Sequence, residues 1–371
     1  MLDRITCCIC DNKLFLDDLV LKNYPKKMSL SLCKNFETED MIFSICTKCH
    51  TIQLKKLIDL EFLYKDSHNI SLIGKTWSDH YVQFSDFIGK NRRGNFLEIG
   101  GNSDKIHKHF NNFERWTLLD PNISTDNIDE KITIIRDFFP PSTEMKNKYD
   151  FLIHSHLFEH LYDPKKTLKQ MTDLLKPDGE IIMSVPIFTK TCKNQTFSGI
   201  HFEHTIHMGE EHIIYIANYC GLKLVSKKKY QNHSMFYKFV KREGLSTISL
   251  NHLKEENIIF NKNLFSRIEE TKKLVLEINK KLPELTDVYI FGCFINTQAM
   301  IYFGLNTSYI RYLLDNDERK QDKYYYGCEL ICKSPCILKD TENPLVICHM
   351  GEYTKEIKNQ LFEINPNINF L

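Results

Sequence analysis

Phe96-Leu97-Glu98-Ile99-Gly100-Gly101-Asn102 is an apolar strand that runs straight into a double-glycine turn, and the fold of the chain is read outward from it. Gly100 lets the backbone turn sharply and come close to a ligand, and the amides that follow are free to donate. Phe96–Gly100 is the first of five short apolar strands, followed by Trp116–Asp120, Ile132–Asp137, Phe151–Ser155 and Glu180–Pro186. The segments between them are helical in period or punctuation, and Trp77–Gly89 is a helical lead-in. Lys176-Pro177-Asp178-Gly179 reads as a turn that stops one helix and starts the next strand. Alternation of this kind predicts an α/β fold with a doubly wound parallel sheet, over residues 66–245.

Acids close three successive strands or their approaches. Glu98 precedes the glycines, Asp120 ends the second strand where an acid accepts ribose hydroxyls, and Asp137 ends the third where it can take an adenine amino group. Phe138 is placed to cover the ring, and Ser155 closes the fourth strand. With Gly100 and Gly101 these make the candidate cofactor site. The loop has no third glycine for a pyrophosphate, which favours S-adenosylmethionine over NAD. The bland alternative is that strand-end acids serve as helix caps.

Two Cys-x-x-Cys pairs, Cys7/Cys10 and Cys46/Cys49, lie ahead of this core. Each pair aims two thiolates at one point, and four sulfurs close a tetrahedron around a structural Zn²⁺. Residues 1–65 are expected to be a zinc-binding domain in which metal and fold form together. Cys8 and Cys33 are spare thiols, Cys8 being a minor alternative ligand to Cys7, and His50 reads as a surface neighbour. Cys328, Cys332 and Cys336 recur in fours, but their strand-and-turn context favours ordinary cysteines over a metal site.

The pattern changes after Lys241. Asn251–Lys281 is a charged helix, either a bridge or one more packed surface helix. Asp287–Gly292, a helix, Ile310–Asp315 and a strand near Leu345–Cys348 then predict a smaller Rossmann-like α/β unit within residues 246–371. With 49 basic and 48 acidic residues the chain has no broad field for a polyanion, so nucleic acid is not an expected partner. Thirteen cysteines without a disulfide-like framework point to a reducing, cytoplasmic setting. The start lacks the order of a signal peptide, and Asn296, Thr297 and Gln298 break the most apolar stretch, so no membrane span is expected. Oligomeric state is left open.

The order and spacing of several blocks resemble the sugar-nucleotide C-methyltransferases of deoxysugar pathways. The blocks are Cys46 through Leu54, Glu98-Ile99-Gly100-Gly101-Asn102, Asp137-Phe138-Phe139, Leu174 through Gly179, His201-Phe202-Glu203-His204 and Asp315 through Lys323. The resemblance spans the chain and implies a zinc-binding domain, a class I S-adenosylmethionine-dependent methyltransferase core and a Rossmann-like third domain. It further implies a nucleotide-linked 4-keto sugar as substrate, methylated on the carbon beside the ketone. On the matching positions, His204 takes the place of the catalytic histidine, Glu203 of the acid beside it and His160 of a second active-site histidine. The chain has His201-Phe202-Glu203-His204 where the family has Tyr-His-Glu-His, Asp104 at the last loop glycine, and Ser67-His68-Asn69 in place of a tyrosine-bearing segment.

Carbon methylation needs a base for the proton beside the ketone and a donor for the enolate oxygen. His204 is assigned as base, Glu203 as its orienting acid and His160 as the carbonyl donor, with His201 and His207 in the same cluster. An extended segment would put His201, Glu203 and His207 on one face, a helical turn would group Glu203, His204 and His207, and the sequence leaves both open. Glu159-His160 also matches the pair that follows strand four in many class I methyltransferases without moving a proton. His-x-Glu-His-x-x-His is alternatively a divalent-metal site. Competing functions are O-methylation of a small molecule, a zinc-ribbon RNA methyltransferase and a non-enzymatic scaffold.

Overall fold

The computed structural model describes residues 2–28, 30–32, 34, 36–64, 74–101, 106–123, 129–142, 145, 149–187, 199–242 and 254–371. An amino-terminal antiparallel sheet comes first, from Phe15–Pro25 (β1), Thr38–Cys46 (β2) and Ile52–Leu54 (β3), and ends in the short helix Leu60–Tyr64 (α1). The core follows with Lys75–Ile88 (α2), Asn95–Ile99 (β4), Arg115–Leu119 (β5), Ile132–Ile135 (β6) and Tyr149–Ser155 (β7). Next come Pro164–Leu174 (α3), Leu175–Pro186 (β8), Ile206–His207 (β9), Glu210–Tyr219 (α4), Leu222–Tyr230 (β10) and Ser234–Lys241 (β11).

The core sheet has seven strands in the order β10-β11-β8-β7-β4-β5-β6. Strands β4 to β8 pair in parallel, while β11 runs antiparallel to β8 and β10. Period-two alternation sends Phe96, Trp116, Ile153 and Ile182 to one face, under Trp77, Tyr81, Phe84 and Ile88 of α2. Leu97, Leu119, Leu152 and Met183 go to the other, under Met171 of α3 and Ile213 and Ile216 of α4. Burial on both faces explains why these strands read as continuous apolar runs. Helix α3 opens with Asp163 accepting from the Lys166 amide and Pro164 in the first turn, where its missing N–H costs nothing.

The five expected core strands lie where the sequence places them, and a sixth and seventh, β10 and β11, were not anticipated. Lys176–Gly179 differs in detail: β8 already begins at Leu175, and these four residues loop out of register between the Leu175 and Glu180 pairings, with Asp178 at φ 57°. The turn therefore sits inside the strand.

The amino-terminal sheet is less self-contained than residues 1–65 suggest. Its fourth strand is β9, so the order is β9-β3-β2-β1 and the edge comes from residues 206–207. Leu21, Tyr24, Phe43 and Leu54 share a core with Phe202 from that segment and with Ile268, Ile295 and Ala299 from the carboxy-terminal part. A sheet this small buries its apolar face only against neighbours.

Lys254–Lys281 (α5) joins both neighbours, with Ile268 in this shared core and Val275 and Ile278 against the third unit. That unit contains Val288–Phe291 (β12), Ile295–Tyr302 (α6), Ile310–Leu314 (β13), Cys332–Lys333 (β14), Leu345–Ile347 (β15), Thr354–Ile364 (α7) and Asn369–Phe370 (β16). Its five parallel strands run β14-β13-β12-β15-β16. Among the described residues no helix is long and apolar enough to cross a membrane.

Candidate active site

Strand order in the core reverses between β4 and β7, and the crevice outside their carboxyl ends is where an open α/β sheet binds ligands. Gly100 ends β4 at φ 71°, in the left-handed region, and a Cβ there would press to 3.3 Å from Leu157. Gly101 answers a different need. A Cβ on it would lie 2.5 Å from Glu98 Oε1, so the buried Glu98 carboxylate lies directly against this residue. Glu98 Oε2 accepts from the Trp116 indole at 2.9 Å, which fixes the turn to the adjoining strand.

Asp120 follows β5, and its Oδ1 accepts from the Asn122 amide at 2.7 Å. Asp137 accepts from the Ser142 and Phe138 amides, each at 2.8 Å. The hydrogen bonds from Ser142 and then Phe138 hold the Asp137 carboxyl below the usual range. Ser155 ends β7 with its hydroxyl buried and without a hydrogen-bond partner, a polar atom awaiting a ligand at the switch point. The cradle, the acids and this hydroxyl fit an adenosyl cofactor. Asp104, like Ser67-His68-Asn69 and Cys33, lies outside the described residues.

Tyr64 links this end to the histidines. Its hydroxyl is 3.1 Å from His160 Nδ1 and its ring meets Phe138 edge-on at 6.1 Å. Burial first, then Glu203, Tyr162, Asp120 and Glu159, push its phenol well above the ordinary value, so it remains a neutral hydrogen-bond donor. His160 and His204 lie edge to face at 4.8 Å, and His201 and His204 at 4.1 Å. Burial and then the imidazoles of His201, His160, His207 and His156 hold His204 well below its usual pKa, and it is a neutral base at neutral pH.

The cluster is neither fully extended nor a helix. Residues 201–203 form a turn and 206–207 a strand, so His201 and His204 come together while His207 turns onto Phe43 at 5.3 Å. The carboxylate grouped with His160 and His204, with ligand atoms within 4.8 Å of one another, belongs to Glu159. Glu159 is fully buried, neither oxygen receives a hydrogen bond, and desolvation raises its pKa to about 7 against the opposing pull of His160. Glu203 is also buried and lies beside Tyr64 and Tyr162. The alternative metal grouping, His201, Glu203, His204 and His207, is not among the metal-capable clusters of the described residues. Sequence reasoning missed Tyr64 and the part of Glu159; the only signal was a lone tyrosine at the end of an apolar helix.

Cys7, Cys10, Cys46 and Cys49 converge with all four sulfurs within 4.8 Å of one another. Cys7–Cys49 and Cys10–Cys46 sulfurs are 3.5 Å apart, near the edge of about 3.8 Å that a tetrahedron with Zn–S bonds of about 2.3 Å requires. Donor number, chemistry and spacing fit zinc. His212 of α4 donates from Nε2 to the Cys49 carbonyl at 2.8 Å while its Nδ1 accepts from the Gly209 amide at 3.1 Å, which ties the knot to the core. Cys8 instead points its sulfur at Gln53 Oε1, 3.1 Å away, and His50 is half-buried outside the cluster. Cys332 is buried, Cys328 half-buried and Cys336 exposed, and they form no metal-capable group among the described residues.

The third unit keeps one turn glycine, Gly292 at φ 100°, but the Met350 thioether occupies the place a Cβ would take. Asp315, which closes β13, accepts from the Cys293 amide at 3.0 Å and from Lys320 Nζ at 2.9 Å. Its carboxylate is engaged within the unit.

Residues 73–221 match the family model described as a methyltransferase domain. No curated protein matches the chain in sequence. Among solved structures, an S-adenosylmethionine-dependent methyltransferase from Mesorhizobium loti aligns at 10% identity over 45% of this chain and 98% of its own, with a TM-score of 0.37. The 1,6-didemethyltoxoflavin-N1-methyltransferase of Burkholderia thailandensis aligns at 12% identity over 48% and 84%, with a TM-score of 0.37. A methyltransferase from Aquifex aeolicus aligns at 11% identity over 43% and 89%, with a TM-score of 0.34. The matched stretch carries the parallel strands β4 to β8 and their switch point, so residues 73–221 are identified as a methyltransferase domain built on a class I-like α/β sheet.

Proposed function

We propose that the chain methylates a carbon beside the ketone of a nucleotide-linked 4-keto sugar. When bound, S-adenosylmethionine supplies a sulfonium methyl group open to in-line displacement. Asp120 would hold the ribose hydroxyls, Asp137 and Phe138 the adenine, and Ser155 a polar group of the tail, with Gly100 giving the backbone room. His204, neutral at physiological pH, takes the proton from the carbon next to the ketone, and that carbon then forms the new bond.

With the Tyr64 phenol donating to His160 Nδ1, His160 would turn its Nε2–H toward the enolate oxygen as charge develops. Glu159 steadies the imidazole pair, and Glu203 lies beside Tyr64. Cys7, Cys10, Cys46 and Cys49 would hold zinc as a structural ion. The observation that carries this reading is the position of Tyr64, bonded to His160 and edge-on to Phe138, because it joins the donor end and the base end in one site.

The test is to incubate the protein with a panel of 4-keto sugar nucleotides and isotopically labelled methyl donor, then locate the label by mass spectrometry and NMR. A new carbon-bound methyl on one sugar is the expected result. Label on oxygen, or turnover on RNA with none on sugars, overturns the substrate assignment.

A further inference from the structure

Three histidines from distant parts of the chain meet beside Trp77. His80 comes from α2, His156 follows β7 at the switch point, and His233 lies in the turn between β10 and β11. Ring centres are 5.6 Å apart for His80–His156, 5.3 Å for His80–His233 and 5.3 Å for His156–His233, a nearly equilateral triangle. One nitrogen from each lies within 4.8 Å of one from each of the others. Metal–nitrogen bonds of about 2.0–2.1 Å at tetrahedral angles place three imidazole centres about 5 Å apart. The triangle is thus close to the size an ion imposes.

Each ring is also held from outside. His80 Nε2 lies 2.9 Å from Ser184 Oγ, His233 Nε2 3.0 Å from the Tyr353 hydroxyl, and His156 Nδ1 3.5 Å from Glu159 Oε1. His156 Nε2 and His233 Nδ1 both reach Ser234 Oγ, at 2.8 and 2.5 Å, and His80 Nδ1 is buried without a hydrogen-bond partner. Two rings are thus fixed on the outside by hydroxyls and the third faces a carboxylate, and outer partners of this kind accompany metal-ligating histidines.

We propose that His80, His156 and His233 bind a divalent transition-metal ion of the zinc type, with a fourth position that faces Ser234 Oγ. Three imidazoles with one open position form a ligand set that leaves room for a water or a substrate oxygen, unlike the closed four-sulfur knot. The ion lies next to Glu159, and so beside the acceptor end of the methyltransferase site. The assignment is independent of the sugar substrate.

The test strips the full-length protein with a chelator and reloads it with Co²⁺, followed by absorption and metal content. Cobalt on thiolates gives charge-transfer absorption in the near ultraviolet, whereas cobalt on imidazoles gives only weak visible bands, so the two sites are read separately. Wild type is expected to take two ions, and His233→Ala one, with the thiolate signal retained as its folding control. Ser184→Ala, which keeps all three ligands, is expected to weaken the second site by about 10–100-fold. Wild type with only thiolate-type cobalt overturns the proposal, as does a nitrogen-type site of unchanged affinity in both variants. Should His233→Ala lose the thiolate signal through misfolding, the Ser184→Ala affinity decides alone.

Discussion

His207→Phe should remove a defined part of the acid sensitivity of this protein. His207 is only 3% exposed and its ring packs on Phe43. Burial first, then the neighbouring His201 and Arg267, lower its pKa from 6.5 to about 3. A histidine with a depressed folded pKa binds its proton more readily in the unfolded chain, so stability is lost as pH falls below the unfolded value and the loss grows down to the folded one. At pH 5.5 the unfolded state gains about 1.4 kcal/mol from this one group, against less than about 0.1 kcal/mol at pH 7.5. Any folded pKa below about 4.5 leaves the figure at pH 5.5 nearly unchanged.

Phenylalanine keeps a ring against Phe43 and removes the titrating group. Urea unfolding of wild type and variant at pH 7.5 and 5.5 is the assay. Wild type should lose about 1.4 kcal/mol more than the variant between the two pH values. Parallel losses would refute the argument, because His207 would then protonate as easily folded as unfolded.

Three further outcomes are expected. Gly101→Ala sets a Cβ 2.5 Å from Glu98 Oε1, and displacement of that carboxylate should weaken S-adenosylmethionine by about tenfold or more in calorimetry, a loss of at least about 1.4 kcal/mol. His204→Ala should cut turnover by about 10²–10⁴-fold while cofactor affinity stays within about twofold, and intact turnover would remove His204 as the base. Cys46→Ser should abolish metal retention in the knot and unfold the amino-terminal sheet together with its contact to α4, measured by metal analysis and hydrogen exchange at residues 49–54.

Much of the core was legible because its strands are buried on both faces: Phe96 and Leu97, or Leu152 and Ile153, are apolar at consecutive positions. The β10–β11 hairpin was not, since Lys223, Lys227, Lys228 and Lys229 at a sheet edge give β10 the polarity of a loop. Candidate cofactor residues followed from strand ends, a local property. The partners of His204 did not. Glu159 reaches it from 45 residues away in chain order, Tyr64 reaches the neighbouring His160 from 96 residues away, and the triangle of His80, His156 and His233 spans three elements with no shared motif. The histidine segment itself was ambiguous because its strand has only two residues and exists through pairing with Gln53 and Ile52. Pairing of that range has no signature in a single sequence.

The loan of β9 to the amino-terminal sheet ties that module to the segment that carries His204. A truncation that begins after residue 65 would strip Ile206 and His207 of the backbone they pair with, only two positions beyond His204. A chimera that exchanges the cysteine knot between homologous enzymes must therefore carry residues 200–209 along with it. Grafted without them, the foreign knot would set the position of the imidazole two residues away.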